Sequence, residues 1–523
     1  MAHFTKPAEG SWTEHYPELG TGPVSYEDSI SPEHYELERA AIFAKSWLNV
    51  GRIEQLPRRG SYFTKEIAAA RTSVVVVRGP DQVVRAFHNI CRHRGNKLVW
   101  SDYPGEETAG TCRQFTCKYH GWRYSLEGEL TFVQQASEFF DLDPADYGLA
   151  AVGCEIWEGF IFVNLDPANT VSLADSLGDF ATGLAGYPFG EMTQVFKYRA
   201  EVGANWKLFI DAFAEFYHAP VLHAKQATDD ESRKLQGYGF EALSYAIDGP
   251  HSMVSSWGGM SPPKDPSMVK PIERVLRSGL FGPWDRPAID GLDELAPALN
   301  PARHQAWGVD SFVLFPNFML LVWAPGWYLT YHYWPTSYRT HTFEGTLYFV
   351  PPHNATERLR QELAAVTFKE YALQDANTLE ATQTMLESRA VTEFPLCDQE
   401  ILLRHLHRPS EKDAPMPILP EAFRDLEPYA DWSLEHESER YAKRLASSMD
   451  ELGAFYDAAF GRLDAALAYL DRFELDALPA DATALLWLCY SLVNVSFPVE
   501  VWRQPSVPDS GAASLDLLVE PAV

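Results

Sequence analysis

Cationic residues are scarce in this chain. Lys and Arg number 43 against 72 Asp and Glu, a net charge of −29 over 523 residues. A protein that grips nucleic-acid phosphates needs the opposite balance, so that class is excluded. Cysteine is scarce too. Six residues, at positions 91, 112, 117, 154, 397 and 489, are too few for a secreted disulfide scaffold. No apolar run approaches the ~18–20 residues of a membrane span. The most apolar stretch, ALLWLCYSLVNVSF, has 14 residues and is expected to be buried core. The N-terminal MAHFTKPAEGSW lacks the apolar core of a signal peptide. A cytoplasmic protein without membrane attachment is the expectation. No GxGxxG follows a strand pattern, and there is no internal repeat or low-complexity tract.

What is present is an ordinary globular composition, 46% hydrophobic, in a chain long enough for two or three domains. Residues 1–30 read as a loose arm. Ser31-Pro32-Glu33 then offers an N-cap and a proline at the first helical position, predicting a helix to about Phe43. From Trp47 the pattern turns to strands. Ser73–Val77, the turn Arg78-Gly79-Pro80-Asp81 and Val83–Phe87 form a hairpin. It runs into HNICRHRGNKL. There Cys91-x-His93 is matched downstream by Cys117-x-x-His120. Each segment supplies one Cys and one His, whereas a zinc finger pairs like with like. Two mixed pairs suit a cluster whose one iron takes two thiolates and the other two imidazoles, a Rieske [2Fe–2S] centre. A four-ligand zinc site is the bland alternative. Cys112 lacks a His at the required offset and reads as a semi-buried filler. Arg92, Arg94, Lys97, Arg113, Lys118 and Arg123 reverse the local charge. They form either a docking patch for an acidic electron donor or a set of solvated side chains.

The densest stretch of candidate ligands is NWKLFIDAFAEFYHAPVLH, residues 205–223. A helix is predicted from Trp206 to Tyr217, with Asp211, Glu215 and His218 on one side. Ala219-Pro220 discourages its continuation. Residues five apart on a straight helix diverge by about 140°, so a break near Ala219 is what lets His223 join His218. Two His and a carboxylate make the facial triad of non-heme Fe(II) oxygenases. Taken alone, H-x4-H is equally a pair of structural histidines. Residues 224–305 are Gly-, Pro- and Ser-rich and irregular, with a lid over the pocket as the functional reading. Phe312 to Val350 reads as antiparallel sheet, and Phe315, Phe318, Leu320, Trp323 and Tyr331 are its candidates for lining an apolar cavity. A helix over about Thr356–Glu387 places Ala364, Phe368, Ala372, Leu379, Thr382 and Leu386 in one stripe. Asp375 falls within it. An unpaired buried carboxylate is costly, so Asp375 needs a cation or a metal, and it is inferred to be the third iron ligand; a salt bridge to a core Arg is the alternative. His405 and His407 read as structural. Helices follow from about Glu435 to Phe473.

NICRHRG and CKYHGWRYSLEGEL resemble the two cluster loops of Rieske non-heme iron oxygenases. NWK, an acid, and YHxxxxH resemble the iron motif of the same family, and LQDANTLEATQ its downstream acid motif. The resemblance covers about residues 31–400, and YPGEETAG reads as an inserted loop. It implies an α+β chain: an N-terminal arm and helix (1–45), a Rieske β-domain (46–166) and a catalytic domain of antiparallel sheet flanked by helices, of helix-grip type (167–430). A C-terminal helical extension (431–523) goes beyond it. It implies Cys91, His93, Cys117 and His120 on the cluster and His218, His223 and Asp375 on a mononuclear iron. Glu215 takes the place of the acid that bridges to a neighbouring subunit's cluster, with Asp211 a second acid beside it. Most ring-hydroxylating members carry Asp at the bridging position, and several monooxygenase-type members carry Glu. Ala212 stands where many members place Asn. The implied function is an oxygenase component of a homotrimer or α3β3 hexamer. It takes electrons that originate in NAD(P)H through a ferredoxin, a flavin reductase or both. With O2 it hydroxylates or dihydroxylates an apolar, aromatic or cyclic substrate, as in aromatic hydrocarbon catabolism. The alternatives are a monooxygenase or demethylase acting on a non-aromatic substrate, and a Rieske electron carrier or redox sensor.

Overall fold

The computed structural model describes residues 11–223, 242–257, 269–279, 282–305, 307–408, 419–473 and 478–508. The chain divides into two compact units, residues 1–408 and 409–523. The expected boundary at residue 430 falls inside the second unit. Leu419, Phe423 and Leu426 precede it and already belong to that unit's core, with Leu452, Phe455, Leu485 and Leu488. Hydrophobic closure, not the change of pattern near Glu435, sets the division.

Two seven-stranded antiparallel sheets build the first unit. The first runs in the order Trp47–Arg52, Phe160–Asn164, Ala151–Trp157, Val84–His88, Thr72–Arg78, Ser61–Ile67, Ala109–Thr111. Val74, Val75, Val76 and Val77 are all buried. Alternate side chains point to opposite faces of a strand. Accordingly Val74 and Val76 join one core and Val75 and Val77 another, the latter surrounding Cys91 and Cys117. A small sheet of Phe115–Thr116, Arg123–Tyr124 and Leu130–Phe132 carries the second Cys/His loop. The inserted YPGEETAG loop is tied down: the Lys65 ammonium lies 3.1 Å from Glu107 and 2.9 Å from Glu344 of the second sheet.

The second sheet runs Gln194–Val202, Thr340–Phe349, Trp327–Ser337, Phe318–Trp323, Trp307–Leu314, His251–Trp257, Ala242–Asp248. The last two strands lie in the stretch expected to be irregular. Their Ser-rich sequence hid a hairpin turned at Gly249 (φ +56°). Further along the same stretch Pro271–Leu276 is a short helix and Ser278–Gly279 pairs with Gly282–Pro283. Residues 224–241, 258–268 and 280–281, on which the rest of the lid expectation falls, lie outside the described residues. One sheet face packs on helices through Met319, Leu321, Trp323, Tyr331 and Phe343. The other packs on the first sheet and its neighbours through Phe312, Phe318, Leu320 and Val322. This corrects the expected cavity lining. Phe318 and Leu320 face away from the helices, because a strand's period of two separates them from Trp323 and Tyr331.

The helix Trp206–Ala214 and the long helix Ala355–Leu386 cover the first of these faces. Asn205 caps the former, its Oδ1 accepting from Lys207 N at 2.9 Å, and its backbone N donates to Gln383 Oε1 at 2.8 Å. Asn354 caps the long helix, accepting from Glu357 N at 3.0 Å. In the second unit, Ala480–Phe497 continues as a π-helical turn to Trp502. By length and composition this segment could cross a membrane, with half of its most apolar window buried in the protein. The helix is longer than the 14-residue apolar stretch read from the sequence because Ala480–Thr483 and Pro498–Trp502 continue it at either end.

Candidate metal centres

The two Cys/His loops are closed by matching hydrogen bonds. Cys91 N donates to Asn96 O at 2.8 Å and Gly95 N to Cys91 O at 3.1 Å; Cys117 N donates to Trp122 O at 2.9 Å and Gly121 N to Cys117 O at 3.0 Å. Gly95 (φ +70°) and Gly121 (φ +71°) turn each loop through the left-handed region. A residue with a side chain is strained there, and each glycine stands four places after its cysteine. Both thiols are buried. Tyr124 steadies the first loop: its hydroxyl lies 3.3 Å from Cys91 Sγ and accepts from Arg92 N at 3.0 Å. Asn96 Nδ2 lies 3.7 Å from Cys117 Sγ. The His93 and His120 rings sit 4.5 Å apart, and His93 stacks on Trp122 at 4.9 Å. His93 Nδ1 is buried without a partner. Burial, with His120 and Arg94 nearby, lowers the His93 pKa and favours the neutral imidazole that binds metal. Two inward thiols and two adjacent imidazoles, one with an orphaned nitrogen, fit a Rieske cluster.

Residues 205–223 fold differently from expectation. The helix ends at Ala214, and Glu215 is extended (φ −142°, ψ 166°). A separate turn of helix, Ala219–Leu222, follows, with Pro220 in its first turn, where a missing N–H costs nothing. The break precedes the proline by five residues. Even so, His218 and His223 face each other, with ring centroids 5.2 Å apart. From the long helix Asp375 completes the group. Its Oδ1 lies 3.7 Å from His218 Nε2 and 3.4 Å from His223 Nε2, and the three ligand atoms lie within 4.8 Å of one another. Asp375 is 1% exposed, and neither carboxylate oxygen has a hydrogen-bond partner. No core arginine pairs with it among the described residues. Such a carboxylate is stable only beside a cation, and two imidazole nitrogens converge on it. The donor set fits a mononuclear iron.

Polar neighbours orient both imidazoles. His218 Nδ1 lies 2.6 Å from Glu215 Oε1, and His223 Nδ1 lies 2.9 Å from Gln374 Oε1. Each contact assigns the Nδ1 proton to the hydrogen bond and leaves Nε2 free for metal. Glu215 Oε2 also accepts from the backbone N–H groups of Tyr217 and His218. Burial works against charging His218, but the hydrogen bond and charge of Glu215, with the charge of Asp375, outweigh it and raise its pKa. Gln374 escaped sequence reading, although its place beside Asp375 was a usable signal. Asp211 does not touch the group. It is buried, and its Oδ2 accepts from His407 Nε2 at 2.9 Å. Asp211, Glu215, His218 and Asp375 share the wall of a cavity of about 290 Å³ with Tyr26, Leu379 and Phe394. Thr382, expected on the buried stripe, lines this cavity and is exposed.

Two family models match the chain: the Rieske [2Fe-2S] domain over residues 46–143 and the ring hydroxylating alpha subunit (catalytic domain) over residues 189–411. Fold, site and matched domains define the class: a Rieske [2Fe-2S] domain followed by a ring-hydroxylating alpha-subunit catalytic domain, the two carrying donor sets that fit a [2Fe–2S] cluster and a mononuclear iron. More particularly, the chain is similar to carnitine monooxygenase oxygenase subunit of Acinetobacter pittii, 31% identical over 195 residues, 37% of this chain and 50% of the relative. It is also similar to glycine betaine monooxygenase oxygenase subunit of Chromohalobacter salexigens, 34% identical over 193 residues, 37% of this chain and 41% of the relative. The matches thus span about half the length of these relatives or less. A crystal structure of a quaternary ammonium Rieske monooxygenase in complex with L-carnitine superimposes with a TM-score of 0.56 at 20% identity, covering 77% of this chain and 98% of that one. At that identity the likeness speaks to the fold.

Proposed function

We propose that the chain is the oxygenase component of a cytoplasmic Rieske monooxygenase that hydroxylates a small quaternary ammonium compound. The observation that carries the reading is the group of His218, His223 and the orphaned Asp375, with Glu215 hydrogen-bonded to His218. Those three side chains would hold an iron able to activate O2, and Cys91, His93, Cys117 and His120 would hold a cluster that delivers electrons one at a time. Glu215 and Gln374 hold the imidazole tautomers. Asp375 provides the negative charge that retains a divalent ion. The Glu in place of Asp at 215 and the kinship with the carnitine and glycine betaine enzymes favour monooxygenation over ring dihydroxylation. Aromatic side chains on the wall of the cavity suit the substrate: Tyr26 and Phe394 line it, with ring centroids 5.8 Å apart. Ring faces attract a quaternary ammonium as readily as they pack on an arene.

Electrons come from NAD(P)H through a flavin reductase, with or without a ferredoxin. The subunits form a ring in which Glu215 links His218 to a neighbour's cluster. The test is O2 uptake and product analysis with reductase present, across carnitine-like, betaine-like and aromatic compounds. Turnover of N-methylated compounds is expected. Exclusive turnover of arenes to cis-diols would refute the substrate class, and a zinc-loaded, colourless protein would end the oxygenase reading. Glu215→Ala is expected to leave both metal sites filled while cutting product formed per electron by ten-fold or more.

A further inference from the structure

His407 read as structural in the sequence, yet it stands at the centre of a buried charge network. Its Nε2 lies 2.9 Å from Asp211 Oδ2 and its Nδ1 lies 2.9 Å from Asp28 Oδ2. The imidazole is fully buried, whereas the Asp28 side chain is 19% exposed. Asp211 Oδ1 is buried without a partner, and Asp211 lines the cavity that Glu215, His218 and Asp375 also line. We propose that His407, anchored by Asp28, is a proton reserve that supplies this cavity through Asp211. The inference rests on the oxygenase reading above, since hydroxylation with O2 and two external electrons consumes two protons and releases one water.

The step is a simple transfer. The His407 Nε2–H bond breaks and an Asp211 O–H bond forms; the ring is left neutral with its Nδ1–H on Asp28. Asp211 then gives the proton to water or another base in the cavity, and the reserve refills by the reverse path between turnovers. The charged groups around it favour this use. Asp28 and the Tyr26 ring (centroid 4.3 Å from His407) face it from the arm, and Asp211 faces it from the Trp206–Ala214 helix. Lys207 holds Asp28 from behind at 3.1 Å, while Glu215 and Glu400 act on Asp211 and Tyr26 from further away. Burial alone disfavours the imidazolium, but the two carboxylates raise the His407 pKa to about 10. It is therefore charged at neutral pH and parts with its proton only when a base formed in the cavity draws it onward through Asp211. Burial raises the pKa of Asp211 despite His407, so Asp211 can carry the proton in transit.

Two measurements on the holoenzyme test this. Nitrogen-15 NMR of histidine-labelled protein, with His407 assigned by its absence in His407→Gln, is expected to show an imidazolium at pH 8; a neutral ring there overturns the proposal. With the electron partners present, His407→Gln and Asp28→Asn are expected to slow product formation about ten-fold or more. They should also move the alkaline fall of the pH profile to lower pH and raise the solvent isotope effect. Iron content and the rate of cluster reduction stay at wild-type levels. Wild-type rates and pH profile in both variants, with metals retained, overturn the reserve. If His407→Gln does not fold, Asp28→Asn alone must still shift the profile, and an unshifted profile overturns the proposal. Absence of O2-dependent turnover in the wild type refutes the functional reading instead, and the NMR result still decides the charge of His407.

Discussion

At the residue scale, the site depends on side chains that touch the ligands rather than on the ligands alone. Gln374 is the clearest case, because its oxygen is the only acceptor assigned to His223 Nδ1 among the described contacts. Gln374→Ala frees that ring to rotate or change tautomer. Iron affinity is expected to fall by about 10–100-fold, read by competition with a chelator, with the cluster spectrum unchanged. Lys207 is fully buried between Glu38 and Asp28. Lys207→Met leaves buried Glu38 with only the Trp206 indole N–H at 3.1 Å and His34 at 3.6 Å, and Asp28 with His407 as its cation. It is expected to cost about 3–5 kcal/mol in denaturant unfolding. His407 gives the network a pH signature. Its pKa is raised to about 10, so its contribution to stability is complete below its unfolded value of about 6.5 and is lost as pH rises through about 10. Asp28, lowered chiefly by His407 and Lys207 against the effect of burial, contributes above its unfolded value of about 3.9 and loses that contribution in acid. The stability advantage of wild type over His407→Gln is therefore expected to shrink between pH 6.5 and 10, by up to about 1.4 kcal/mol per pH unit.

At the element scale, the ligand group exists because two helices far apart in sequence are pinned together. Gln383 of the long helix accepts from the Asn205 backbone N–H at the start of the other helix, and Glu380 accepts from Gly203 N at 2.9 Å. These bonds set the position of His218 and His223 relative to Asp375. Gln383→Ala leaves a buried N–H unpaired. It is expected to destabilise the protein by about 1–3 kcal/mol and to weaken iron retention several-fold. A drop in stability with iron affinity untouched would contradict the positioning role. The long helix was legible in the sequence because its apolar stripe repeats over many turns. The end of the Trp206–Ala214 helix was not. Residues 215–217 have helix-compatible composition, and the chain leaves the helix there because Glu215 turns back to accept Tyr217 N and His218 N. A bond of that kind is invisible to propensity.

At the scale of the whole molecule, charge is distributed against the average. In a chain of net charge −29, Arg92, Arg94, Arg113, Lys118 and Arg123 are exposed around the cluster loops. None of the five is ion-paired among the described residues. Lys97 is the exception, held by Glu66 at 2.6 Å. Arg92 instead donates to Gly148 O, and Lys118 lies over the Trp100 ring at 4.0 Å. A basic rim without ion pairs is what would steer an acidic electron donor. Reversing Arg92 and Lys118 to Glu is expected to slow cluster reduction by ten-fold or more at low salt, with the difference closing as salt screens it. Stopped-flow rates that do not change with the substitutions would leave these residues as solvated surface only.

The sequence by itself carried the candidate donor residues and the class of fold. Mixed Cys/His pairs, two histidines five apart and an acid inside an apolar stripe are local patterns, and local patterns are what a sequence displays. It also marked Phe312 to Val350 as antiparallel sheet, because apolar strand runs need no tertiary context to be read. Only the tertiary structure decided which carboxylate partners which cation. Asp28, Asp211 and His407 meet across 379 and 196 residues of chain, and Asp375 reaches His223 across the space between two helices. Only the structure divided the chain at Arg408 and turned Phe318 and Leu320 away from the site. Those outcomes depend on which faces are buried together, and burial is a property of the packed chain that periodicity within one segment does not contain.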